Sequence, residues 1–148
     1  MNDCNRQADR AGLSGAQGEV VELTGTVCSG LGEGSVFTQI DWVLAQFIDK
    51  LGLHPYPGTF NLTIKDERWR QLLPRLRAGG GIHITPPAGF CSADCFPVRI
   101  AGEAQGFLVL PQVPDYPADK FEIVAAVALR QLLKLKEGDR VTVQLRLP

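Results

Sequence analysis

What the chain lacks narrows its class first. No run approaches the roughly 18 consecutive apolar residues of a membrane-spanning helix, so no membrane partner is expected. There is no basic excess: 15 Lys and Arg stand against 16 Asp and Glu, for a formal net charge of −1. That balance argues against nucleic acid as a partner, since phosphate backbones are bound by clustered cations. Residues 1–18 are polar and contain no apolar leader segment, which points to a cytoplasmic location and reduced thiols. The four cysteines, Cys4, Cys28, Cys91 and Cys95, form no CxxC pair, and the two histidines, His54 and His83, lie far from Cys91 and Cys95 in sequence. Cys91 and Cys95 are therefore expected as structural thiols rather than metal ligands, and the histidines as structural side chains. Neither a P-loop nor a Rossmann fingerprint is present.

What is present suits one domain. A chain of 148 residues with 45% hydrophobic and 21% charged residues can bury a core without staples. Residues 1–18 hold too little apolar surface to offset ordering entropy and are expected as a disordered tail. The folded domain is expected over residues 19–148.

Residues 19–28 alternate and are rich in Val and Thr, which predicts a strand. Ile40, Val43, Leu44, Phe47, Ile48 and Leu51 fall at helical spacing; Thr38 followed by Asp41 resembles a capping box, and Gly52 follows. This predicts a helix over residues 39–51. Strands are predicted at 59–64, 82–85, 96–100, 105–110, 121–124 and 140–147, with a hairpin turn at Gly102-Glu103. A short helix is predicted over 66–73, with Pro74 ending or kinking it. An amphipathic helix is predicted over 126–135. Seven or so short strands, too closely spaced for a βαβ series, with two or three helices indicate an α+β domain built on a compact barrel.

Three segments carry candidate chemistry. In Gly30-Leu31-Gly32-Glu33-Gly34, the glycines permit the backbone to approach phosphate oxygens, or simply form a flexible turn. After the sharp turn Tyr56-Pro57-Gly58, Thr59 and Asn61 lie two residues apart on a strand and point to one face. Their hard, neutral oxygens suit a Mg²⁺ that also takes phosphate oxygens, or else they cap the turn. Glu122, among Phe121, Ile123 and Val124, is either an exposed strand residue or a carboxylate facing a site, where partial burial suits it to proton abstraction.

Taken together and in order, Ser29-Gly30-Leu31-Gly32-Glu33-Gly34, Leu51-Gly52-Leu53-His54-Pro55-Tyr56-Pro57-Gly58-Thr59-Phe60-Asn61-Leu62, Phe121-Glu122-Ile123-Val124-Ala125, Leu129-Arg130 and Leu135-Lys136-Glu137-Gly138-Asp139-Arg140-Val141 resemble CTP-dependent riboflavin kinases of the archaeal type. The resemblance spans about residues 25–143. It implies a six-stranded cradle-loop β-barrel with added helices, with CTP and riboflavin as substrates and FMN and CDP as products. It implies nucleotide contacts at Gly30, Leu31, Gly32, Glu33, Gly34 and Ser35, Mg²⁺ held by Thr59 and Asn61, and Glu122 near the flavin hydroxyl as the catalytic acidic residue. Tyr116 is implied as a further substrate contact.

The chain departs from the family at the Cys91–Cys95 stretch, which lacks a double glycine often found there, and at two places that bear on charge. Members usually carry a lysine after the Gly-rich loop, where this chain has Ser35. They tend to carry arginine, threonine, histidine and tyrosine where this chain reads Val113-Pro114-Asp115-Tyr116. Both changes remove positive charge that would stabilise a transferring phosphoryl group. Arg99 or Lys120 is expected to substitute for it in space. The competing expectation is a diverged member that binds a flavin or nucleotide without transfer, or phosphorylates another small alcohol.

Overall fold

A computed structural model describes residues 19–29 and 38–148. The predicted tail, residues 1–18, lies outside the described residues. Seven strands form: β1 (Val20–Cys28), β2 (Phe60–Thr63), β3 (Ile82–Ile84), β4 (Ala93–Ile100), β5 (Ala104–Pro111), β6 (Lys120–Val124) and β7 (Arg140–Arg146). Six close into an antiparallel barrel in the order β4-β5-β6-β2-β1-β7, with β7 pairing back onto β4 through Val98 with Leu145 and Ile100 with Val143. The upper half of the same edge of β4 pairs with β3, as in Ile82 with Cys95. Closure removes the open edges that a six-stranded sheet would otherwise expose. The fold is α+β, as expected.

Strand parity sorts side chains between two apolar clusters. Leu23, Val27, Leu62, Phe96, Leu108, Phe121, Ile123, Val143 and Leu145 point into the barrel. Helix α2 (Glu67–Arg77) contributes Trp69 and Leu76 to that interior, and the Trp69 ring meets Phe121 edge-on at 4.9 Å. The second cluster lies on the opposite face of the strands. Val43 and Phe47 of helix α1 (Asp41–Gln46) and the π-helical turn that continues it, Phe47–Leu51, pack there on Ile84, Ala93, Cys95, Val109 and Val124. Thus α1 covers the outer wall of β4, β5 and β6. No helix among the described residues is long and apolar enough to cross a membrane.

Several sequence expectations change. The first helix begins at Asp41 rather than residue 39, and Thr38 does not cap it; Ile40 occupies the N-cap position without a side-chain bond. The Thr38 hydroxyl instead accepts from Gly58 N at 3.0 Å, which satisfies a turn amide. The helix ends at Gly52 in the left-handed region (φ 65°), as predicted. Pro74 does not end α2, which runs on to Arg77. Burial of Leu76 beyond the proline, and the Arg77 bond to Pro111 O at 3.1 Å, hold the last turn against the lost amide. The predicted 126–135 helix shrinks to one turn, α3 (Leu129–Leu132), because Lys134 takes a positive φ of 56° and Leu132 faces solvent. Strand β4 starts at Ala93, three residues before the predicted start, because both faces of its first half are covered, one by the barrel core and the other by α1 and β3.

Candidate functional site

The Tyr56-Pro57-Gly58 turn is tied down at both ends. Tyr56 N donates to Ala125 O at 2.8 Å, just beyond β6, and Gly58 N donates to the fully buried Thr38. This delivers Thr59 to the start of β2, where Asn61 pairs with Cys28 of β1 on one side and Glu122 of β6 on the other. Phe60 and Leu62 fill the barrel, so Thr59 and Asn61 share its outer face.

On that face the oxygens converge. The Thr59 hydroxyl lies 3.2 Å from Asn61 Oδ1 and 3.5 Å from Glu122 Oε1, and can donate to either. Asn61 Nδ2 donates to Thr59 O at 3.2 Å, which turns the amide so that Oδ1 faces the hydroxyl. The Tyr116 hydroxyl donates a short hydrogen bond to Glu122 Oε2. Burial, reinforced by the Glu122 charge and that hydrogen bond, pushes the Tyr116 phenol far above its ordinary range, so it stays protonated as a donor. Lys120 Nζ approaches the same carboxylate oxygen at 3.7 Å and lies 5.4 Å from the centre of the Tyr116 ring. The Glu122 side chain is only 15% exposed, and it sits between two paired strands rather than on an edge.

A cleft of about 250 Å³ opens beside Thr59, between the Tyr56–Gly58 turn and the segment carrying Val127, Leu129 and Arg130. Arg130 is held in place: Nη2 donates to Cys28 O and to Glu137 Oε1, each at 3.2 Å. Glu137 also accepts from Ser29 Oγ at 2.7 Å. The Ser29 hydrogen bond, then that from Arg130, hold the Glu137 carboxyl below its ordinary range. Cys28 and Ser29 on one side, and Thr38 on the other, flank residues 30–37, and both flanks contact the β2 region.

The expected site residues fall into two groups. Gly30, Leu31, Gly32, Glu33, Gly34 and Ser35 lie outside the described residues. Thr59, Asn61, Tyr116 and Glu122, spread over 64 positions of sequence, are brought into one hydrogen-bonded cluster. Of the two cations considered, Arg99 bonds Gly102 O in the β4–β5 hairpin, whereas Lys120 stands at the cluster. Cys91 is exposed and Cys95 buried in the second apolar cluster, where burial pushes its thiol up to about 12. Among the described residues no group of three or more His, Cys, Asp or Glu is placed to hold a metal ion. A cation at Thr59 and Asn61 would therefore draw its remaining ligands from water and from phosphate oxygens, as Mg²⁺ prefers.

Sequence reasoning missed Thr38 as the anchor of the turn, Arg130 at the cleft, Arg77 and the His83–Asp94 pair. Arg77 lies 5.8 Å over the Tyr116 ring, and His83 Nδ1 is 2.9 Å from Asp94 Oδ1 across β3 and β4. These contacts depend on strand register and on an extended α2, which no local pattern shows. The Leu129-Arg130 pair, one of the segments that carry the family resemblance, is a signal visible in the sequence.

The family model CTP-dep_RFKase, described as a domain of unknown function, DUF120, matches residues 27–145. Riboflavin kinase of Methanosarcina mazei is 36% identical over 146 residues, covering 96% of this chain and 64% of that protein. Riboflavin kinase of Aeropyrum pernix is 41% identical over 127 residues, covering 82% of this chain and 92% of that protein. Riboflavin kinase of Archaeoglobus fulgidus is 38% identical over 128 residues, with coverage of 84% and 54%. The chain thus spans about two thirds or less of the Methanosarcina and Archaeoglobus relatives and nearly all of the Aeropyrum one.

Proposed function

The chain belongs to the CTP-dependent riboflavin kinase family, and from that premise we propose that it transfers the γ-phosphate of CTP to the 5′-hydroxyl of riboflavin, giving FMN and CDP. The observation that carries this reading is the convergence of Thr59, Asn61 and Glu122 on the outer wall of the barrel, beside an open cleft.

The donor chemistry fits Mg²⁺. The 3.2 Å between Thr59 Oγ1 and Asn61 Oδ1 is close to the about 3.0 Å between neighbouring corners of an octahedron with bonds of about 2.1 Å. Bound there with a nucleotide, Mg²⁺ would neutralise charge on the phosphates. The residue roles in this reading come from the family resemblance and the chemistry of the side chains. Gly30 to Ser35 would cradle the phosphates with backbone amides. The cleft between Tyr56 and Arg130 would take the nucleoside.

Glu122 accepts the proton of the riboflavin hydroxyl as that oxygen bonds to the γ-phosphorus and the bond to the bridging oxygen breaks. The electron pair of the broken bond leaves with CDP. Tyr116, protonated throughout, fixes one carboxylate oxygen and leaves the other facing Thr59. This matches the demands of phosphoryl transfer, where positioning and electrostatics supply most of the catalysis.

The test is incubation of the purified chain with riboflavin, Mg²⁺ and CTP, ATP or GTP, with flavins separated by chromatography. FMN should form with CTP in preference to the purine nucleotides. No FMN with any of the three over long incubation overturns the reading.

A further inference from the structure

Phosphoryl transfer needs positive charge on the migrating group beyond the metal, and the described cations beside the Thr59, Asn61 and Glu122 cluster differ in their availability. Arg77 is anchored through Nη1 on Pro111 O at 3.1 Å and Gln112 Oε1 at 3.4 Å. Arg130 is anchored through Nη2 on Cys28 O and Glu137, at the cleft given to the nucleoside. Lys120 is placed differently. It opens β6, two residues before Glu122 and on the same outer face, opposite Thr63. Its ammonium rests near the Tyr116 ring and contacts Glu122 Oε2 at 3.7 Å, a loose ion pair, with the side chain 30% exposed. An ammonium has three donors on a flexible stem, so one toward Glu122 leaves two for phosphate oxygens.

We propose that Lys120 is a catalytic residue of this chain that binds the migrating phosphoryl group of the Mg²⁺-nucleotide, with the Tyr116 ring and Glu122 holding it ready. The inference rests on the kinase reading above. In the resting site Glu122 shares the ammonium. As the riboflavin hydroxyl forms its bond to phosphorus and the bridging P–O bond breaks toward CDP, the hydroxyl proton moves to Glu122. The ammonium donates to the phosphoryl oxygens as negative charge gathers there.

The test uses Lys120→Met, which keeps stem length without charge, and Lys120→Arg. Both changes are on a partly exposed outer position, and thermal unfolding checks that each folds. In Lys120→Met, kcat should fall about 10²-fold or more while the riboflavin KM changes less than about threefold, and Lys120→Arg should recover at least about tenfold of the loss. A second readout needs no turnover. By calorimetry with Mg²⁺, Lys120→Met should bind β,γ-methylene-CTP about tenfold more weakly than the natural chain and bind CMP equally well.

A Lys120→Met chain with unchanged kcat and unchanged analogue affinity overturns the proposal and leaves the kinase reading standing. Equal weakening for CMP and for the analogue also overturns it, because that marks a structural role. A natural chain that forms no FMN, yet binds the analogue in a Lys120-dependent way, overturns the kinase reading and retains the phosphate contact. A natural chain that does not bind the analogue at all overturns both.

Discussion

Asn61 of β2 and Glu122 of β6 are direct cross-strand partners in the barrel wall. The pairing places an amide and a carboxylate side by side on the outer face, with the Thr59 hydroxyl within 3.5 Å of both. Because Phe60, Leu62, Phe121 and Ile123 lock the other face into the core, a slip by one residue would bury the polar set and expose four large apolar groups. The register that builds the core therefore also builds the site.

Tyr116 reaches Glu122 from the loop before β6, so it orients the carboxylate without belonging to the strand. Tyr116→Phe keeps the ring that packs near Arg77 and Lys120 and removes only the hydroxyl. The variant should fold with an unchanged melting temperature and lose about tenfold to 10²-fold in kcat for FMN formation, the range of a misdirected general base. Full activity in Tyr116→Phe would remove the tyrosine from the account.

Alkaline stability follows from one buried and one half-buried acid. Burial, with a smaller push from Asp94, raises the Cys95 thiol from its ordinary 9.0 to about 12. Burial and Glu122 raise the Tyr116 phenol from its ordinary 10.0. The folded chain keeps both protons where the unfolded chain releases them. This stability is fully present below the unfolded values and is lost as pH rises toward the folded ones, by about 1.4 kcal/mol per pH unit for each group in its window. Urea midpoints between about pH 8 and pH 11 should fall more steeply for the natural chain than for Cys95→Ala, which retains only the tyrosine. Parallel profiles would contradict the assignment.

Gly106 sits where β5 passes β6. A Cβ there would lie 2.6 Å from Val124 O and 2.9 Å from Ile123 Cγ2. Neither neighbour can yield easily, because one is backbone and the other lies in the core. Gly106→Ala should destabilise the domain by about 1–3 kcal/mol in urea unfolding, the range for overpacking. An unchanged midpoint would show that the wall is softer than this packing implies.

Much of this was legible in the sequence, and particular residues show where it stopped being so. The alternation at Val141, Val143 and Leu145, the helical spacing of Val43 and Phe47, and the left-handed Gly52 stop are local signals, and all three features form. The α+β barrel class and the family followed from strand spacing and from segments in order. Long-range effects were not legible. Thr38 satisfies the local pattern of a helix cap, yet a turn amide twenty residues away takes its hydroxyl. Pro74 reads as a helix end, yet burial of Leu76 carries α2 past it. Residues 126–135 have a helical pattern, but only Leu129–Leu132 forms a turn. At the site, Thr59 and Asn61 show themselves by spacing. Lys120 lies two residues from Glu122 on the outer face, whereas Arg99 bonds Gly102 O in the β4–β5 hairpin, which the sequence does not show.

The central claim is that the Thr59, Asn61 and Glu122 cluster moves a phosphoryl group from CTP to riboflavin. The most direct measurement follows the label of γ-³²P-CTP after mixing with Mg²⁺, riboflavin and either the natural chain or Asn61→Ala. The account predicts label in FMN for the natural chain, and a rate at least about 10²-fold lower in Asn61→Ala, as expected when a reacting group loses its positioning ligand. Label appearing only in inorganic phosphate, or entering FMN equally fast in Asn61→Ala, would contradict it.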